Sequence, residues 1–281
     1  MKLTKETLKK IIEEEVENFN KFLQEKVDPK RFPTKLSQVN PEIAKQVTTQ
    51  GKNDGDETDD AKDVNVKEYS VSELKPSQSS MNLPKSLGML VAMINGKMPS
   101  GGNLGGFISS DNFIMDGHHR WVSTAMLNPK LKVAGYVVNM PASDLIPVLN
   151  AITVGRLGIT KGKQGTGSFA QFQKEPIQKE MLNLIKKGNK FVPPQDVKAA
   201  FQKYVGQQIE SDEQLVAAAA QKAATNLSNV KFQLPANAPA RPDMPVIDKD
   251  KVPNADKIAI AALKQGEVDI EEPYAKIKES K

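Results

Sequence analysis

The chain has no cysteine and only two histidines among its 281 residues. The missing cysteines exclude disulfides, thiolate catalysis and cysteine-ligated zinc or iron–sulfur centres. Aromatic residues make up 5% of the chain and hydrophobic residues 38%. That is little for one globule of this length, so either the core is small or part of the chain lies outside it. No apolar run approaches the ~20 residues that span a bilayer. The opening Met1-Lys2-Leu3-Thr4-Lys5-Glu6 lacks the apolar core of a secretory signal, so the expectation is a cytoplasmic protein with no membrane partner. Charge of one sign is barely in excess, 39 basic against 34 acidic residues for a net +5. Whole-chain charge is therefore a weak argument for nucleic acid.

What is present falls into five stretches. Residues 1–50 read as an N-terminal helical arm. Leu8, Ile11, Ile12, Val16, Phe19 and Leu23 follow helical spacing after a Thr4 cap, and Asp28-Pro29 ends it. Its apolar stripe packs on its own domain or on a partner protein. Residues 51–63 hold no large apolar side chain and read as an acidic, solvated linker. A calcium loop counted from Asp54 fails there, since its sixth and twelfth places hold Asp59 and Asn65.

Residues 64–160 read as a small α+β domain. The pattern predicts a strand at 66–71 and a helix from Pro84 to a Gly96 stop. A hairpin over 107–115, a helix over 118–128, a strand over 133–140 and a helix over 143–154 follow. Residues 161–234 read as a basic helical region with helices at 176–187, 194–205 and 211–227. Residues 235–281 read as a Pro-rich linker and tail, its five prolines at 235, 239, 242, 245 and 253 making a stiff, exposed connector around a short helix near 255–265.

The chemistry concentrates in Asp116-Gly117-His118-His119-Arg120, at a strand-to-helix turn. Glycine permits a sharp turn. The helix that follows directs unpaired N–H groups and its positive dipole end at the turn, which suits an anion. Arg120 offers a planar fork for phosphate oxygens. His118 and His119 titrate near neutral pH and can give or take a proton. Asp116 can orient a histidine or hold a phosphate-bound magnesium ion. The chain's only histidines are these adjacent two. Adjacent side chains on a helix diverge by roughly 100°, and no third histidine exists, which excludes a zinc site of histidines.

Phe113-Ile114-Met115 followed by Asp116-Gly117-His118-His119-Arg120-Trp121, with Ala125 one turn on, resembles the strand–turn–helix signature of the ParB/sulfiredoxin-like superfamily. The strand leading to Glu73-Leu74, Pro76 and Gln78 is similar to the first box of ParB-like domains. The resemblance spans about 64–160. It implies a small mixed-sheet fold that binds nucleotide phosphates (ATP or CTP, with magnesium) or DNA at the turn. By position, Gly117, His119 and Arg120 match sulfiredoxin's phosphate-binding residues, and His118 stands where that enzyme has its catalytic cysteine, so sulfinic-acid repair is excluded. Chromosomal ParB proteins carry arginines where this turn carries histidines.

Two functions of different class follow. One is an enzyme, a ParB-like nuclease or nucleotide-dependent phosphotransferase. Its site would be Asp116, His118, His119 and Arg120, with Glu73 as a further acid–base candidate. The other is a non-catalytic DNA-binding or assembly protein that keeps the fold. The opening residues resemble the starts of tailed-phage proteins, which leaves open the infected cytoplasm or the virion, with assembly partners met through the N-terminal helix and the Pro-rich tail. Between Arg156 and Lys190 there are eight basic residues and two acidic ones. Arg156, Lys161 and Lys163 there are candidate nucleic-acid contacts. Gly162 to Ser168 looks superficially like a phosphate loop, but lacks the glycine-lysine-serine/threonine ending and a preceding strand, and reads as a flexible basic loop.

Overall fold

The computed structural model describes residues 31–51, 62–165, 167–188 and 192–270. The expected helix at 4–27, most of the acidic linker and the charged tail beyond 270 lie outside the described residues. Strands β1 (Val64–Ser70), β2 (Lys75–Pro76), β3 (Gly102–Ile108), β4 (Phe113–Ile114) and β5 (Lys132–Val138) form one sheet in the order β1-β5-β3-β4-β2. The β1/β5 and β3/β4 pairs are antiparallel, whereas β3/β5 and β2/β4 run parallel. The chain is thus α+β, with a mixed sheet.

Successive strand residues face opposite sides of a sheet, and the apolar residues here occupy both. Phe107, Phe113, Met115 and Val138 enter the core of one face, Ile108, Ile114, Val133 and Val137 that of the other. The first face is covered by α4 (Ala142–Gly155), with α1 (Pro41–Val47) and α8 (Ala255–Lys264) packed near it. The second carries α2 (Leu83–Ile94) and α3 (His118–Leu127), backed by α5 (Lys174–Lys187), α6 (Pro194–Val205) and α7 (Asp212–Leu227). Among the described residues, no helix is long and apolar enough to cross a membrane.

Three expected boundaries do not divide this architecture. The core containing Leu87 and Trp121 continues without a break into Ile177, Phe201 and Leu215. Helices α2 and α3 need that cover, so position 160 separates nothing. Residues 31–50 belong with the sheet as well. Phe32 and Val47 are buried against it, and Arg31 binds both carboxylate oxygens of Asp269, at 3.2 and 2.5 Å. The Pro-rich stretch is not an exposed connector either. Met244 is 0% and Val246 3% exposed, the Val246 N–H donates to Thr153 Oγ1 at 3.1 Å, and Asn150 Nδ2 donates to the Asp243 carbonyl at 3.2 Å. Proline restricts the backbone there, with Arg241–Asp243 a 3-10 helix between extended residues, but the apolar side chains between the prolines supply the drive to bury it.

Candidate functional site

The site grows from the two-residue parallel pairing of β2 with β4, Lys75 opposite Phe113 and Pro76 opposite Ile114. Parallel strands release their chains at the same end of the sheet. Ser77 therefore emerges beside Met115 and Asp116, and its hydroxyl donates to the Ile114 carbonyl at 2.6 Å. From there one chain runs into α2 and the other turns into α3. Gly117 makes that second turn at φ +90°, left-handed backbone that a side chain would strain. It is the N-cap of α3, with no side chain capping the helix. Helix α2 starts at Asn82, whose side chain accepts from the Lys85 N–H at 2.7 Å.

The histidines of the turn face inward. His118 is 2% exposed, and its Nε2 accepts the Ser77 N–H at 3.1 Å. His119 is half-buried, its Nε2 accepting the Asn82 N–H at 3.1 Å. Each imidazole ties the start of α3 to the segment that follows β2. Acceptance at Nε2 puts the ring proton on Nδ1. Burial, reinforced by Arg241 and His119, holds His118 well below the ordinary histidine value, although a bond with the Ile114 carbonyl opposes the shift. Burial together with the charges of Lys85, Arg241 and Lys163 lowers His119 to about 4. Both rings are neutral at pH 7, which corrects the expectation that they titrate near neutral pH. Residues following β2 lie over them.

Beside His119 lies a polar cleft of about 230 Å³. Ser80, Asn82 and Lys85 form the wall at the start of α2, with Asp116 and His119 from the turn opposite. Lys163, Gln164 and Gly165 come from the glycine-rich loop, and Arg241 from the Pro-rich strap 241–248. Three cationic side chains thus share the cleft with one carboxylate, between two helix starts. Lys163 also binds Asp248 at 2.8 Å, which ties the loop to the strap. Among the described residues no three histidine, cysteine, aspartate or glutamate side chains gather as a metal site. A magnesium ion here would have Asp116 as its protein carboxylate and rely on ligand phosphates for the rest.

The sequence-predicted residues divide. Asp116 and His119 line the cleft, and Lys163 joins them. Gly117 supplies the turn, and its N–H donates to Asp116 Oδ1 at 2.7 Å. Arg120, expected to grip phosphate, is turned the other way: Nη1 donates to the Asn103 carbonyl at 3.0 Å and Nη2 to that of Gly101 at 2.9 Å. The carbonyls where β3 begins engage its fork. Glu73 is an exposed cap, accepting the Ser70 N–H at 2.6 Å in a capping box, so it is not at the cleft. Arg156 is held by Glu267 at 2.5 Å and by the Thr48 carbonyl at 3.3 Å, bonds that join α4 to its neighbours. Lys161 is exposed in the loop outside the cleft.

Lys85 and Arg241 went unnoticed in the sequence reading. Both left a signal. Lys85 is a cation in the first turn of a helix, where the dipole disfavours it. Arg241 is the sole charged residue between Lys231 and Asp243. Comparison with protein-family models, curated proteins and solved structures finds no match to this chain.

Proposed function

We propose that this protein binds the phosphoryl group of a nucleotide or of nucleic acid in the cleft beside Asp116 and His119, in the manner of a ParB/sulfiredoxin-like domain. One observation carries the reading: a small polar cleft at two helix starts, walled by Lys85, Lys163 and Arg241. Helix starts and cations favour anions. The His119 pKa, lowered chiefly by burial, is lowered further by the same three side chains. The cleft lies between the turn at Asp116–His119, on which the family resemblance chiefly rests, and the segment Ser80–Lys85 that follows the box of Glu73-Leu74, Pro76 and Gln78.

Binding without turnover fits best. A general base needs an unoccupied basic nitrogen near the reacting proton, and both Nε2 atoms already accept backbone N–H bonds. The nuclease or phosphotransferase reading keeps one supporting observation, the Asp116 carboxylate on the cleft wall, where it can share a magnesium ion with phosphate.

The test is a calorimetric titration of the full chain with inorganic phosphate, ATP and CTP with magnesium, and a DNA oligonucleotide, at two salt concentrations. Saturable, salt-weakened binding that falls about tenfold in Lys85→Gln is expected. Parallel incubations look for released phosphate or nicked plasmid. Product that vanishes in both Asp116→Asn and His119→Gln would move the assignment to the enzyme. An absence of binding to every probe would sink the phosphoryl reading.

A further inference from the structure

We infer that Arg241, carried by the Pro-rich strap outside the resemblance to ParB-like domains, is the principal oxyanion ligand of the cleft. This rests on the phosphoryl-binding reading and assigns its chief ligand. Arg241 lines the cleft, and its Nη1 is buried with no hydrogen-bond partner among the described residues. A buried guanidinium N–H without an acceptor is costly, and a phosphoryl oxygen in the cleft would meet that need. A guanidinium presents paired donors in a plane that matches a tetrahedral oxyanion. Burial lowers the Arg241 pKa while Asp116 and Asp248 oppose it, which fits a cation withdrawn from solvent yet held charged.

The backbone around Arg241 is tightly seated. A Cβ on Gly165 would lie 2.7 Å from Arg241 Cβ and 2.5 Å from Ser80 Oγ, and one on Gly162 would meet the Pro242 carbonyl oxygen. The glycine-rich loop can lie against the strap only because these positions have no side chain. The Lys163–Asp248 pair then closes the contact from the other side. The loop and strap together seat one arginine, and the arginine of the turn is engaged elsewhere.

The experiment compares parent, Arg241→Gln, Arg241→Lys and Lys85→Gln in full-length protein. The probes are inorganic phosphate, ATP, and an oligonucleotide with and without a 5′-phosphate. Arg241→Gln should weaken the phosphorylated probe that binds the parent by about 10- to 100-fold. Arg241→Lys should fall between, since the ammonium keeps charge but loses the fork. Without ligand, Arg241→Gln should unfold no lower than the parent, because it removes a buried cation whose Nη1 finds no hydrogen-bond acceptor among the described residues. A residue that serves the fold would do the opposite, so a Tm lowered by several degrees overturns the inference. Parent-like binding by Arg241→Gln alongside weakened binding by Lys85→Gln also overturns it, while the phosphoryl reading survives. If the parent binds none of the probes, the phosphoryl reading itself fails. The probe bound most tightly separates free phosphate, nucleotide and nucleic-acid end as the ligand's source.

Discussion

The turn at 116–120 and the strap at 241–248 meet at one cleft and handle polarity in opposite ways. In the turn most polar groups are already matched, Arg120 Nε being a buried donor that is not. Two imidazoles accept backbone N–H bonds from Ser77 and Asn82, a guanidinium donates to two carbonyls, and a carboxylate caps the adjacent N–H. In the strap, Arg241 keeps a buried donor unmatched, and Asp248 is tied to the loop through Lys163. Buried polar groups are ordinarily paired, so an unmatched donor on a residue that lines the cleft marks where a ligand has room to act. Residue type alone made the turn conspicuous. Pairing makes it the frame and leaves the strap with the open chemistry.

Exchanging the two regions' roles is the most direct way to break that contrast. His118→Ala should produce the largest effect, a loss on the order of 3 kcal/mol in urea unfolding, because it opens a cavity and strands the buried Ser77 N–H. If it unfolds no more readily than Arg241→Gln, the division between frame and ligand is mistaken. The pH profile sharpens the point. Both histidines have native pKa values below their unfolded value, so between about pH 6.5 and 4 the unfolded chain binds more protons than the native one. Their contribution is intact above pH 6.5 and falls as pH drops toward 4, by up to about 1.4 kcal/mol per pH unit for each ring. Urea midpoints at pH 7 and pH 5 should diverge in the parent, and less in a His119→Gln variant.

Arg120→Ala should behave as a frame mutation too. It removes two charge-assisted bonds to β3, a cost of about 1–3 kcal/mol, and leaves phosphate affinity within about twofold of the parent. A loss of affinity at full stability would return Arg120 to the cleft. The smallest effect belongs to the Lys163–Asp248 pair, partly exposed on the lysine side. A double-mutant cycle should give a coupling of roughly 0.5–1 kcal/mol, with Lys163→Ala alone also weakening ligand binding.

Much of this architecture was legible locally. Pro84 near a helix start, the turn glycine Gly117 and the apolar stripes from 176 to 227 announce helices at α2, α3 and α5–α7 to within a residue or two. Turn glycine and helix start marked one wall of the cleft. The other walls depended on contacts that no local pattern encodes. The β2/β4 pairing joins residues 38 positions apart, and it covers histidines that residue type alone made look like groups titrating near neutral pH. The strap reads as a solvated connector because proline count outweighs two buried apolar residues, Met244 and Val246. Charge was misleading in the same way: the basic run after Arg156 looked like a surface, yet Arg156 itself is bound to Glu267, and among the described residues of the run only Lys163 lines the cleft.

The strap's place in the cleft has a consequence for the order in which a ribosome delivers the chain. When position 235 has been added, the strands, the turn and both helix starts are already made, and one wall of the cleft is still absent. The recognition site becomes whole only after Arg241 emerges and Lys163 finds Asp248. A nascent or prematurely stopped chain would then carry the sheet and the two histidines but lack the strap's arginine, so ligand capture would report that synthesis had passed this point.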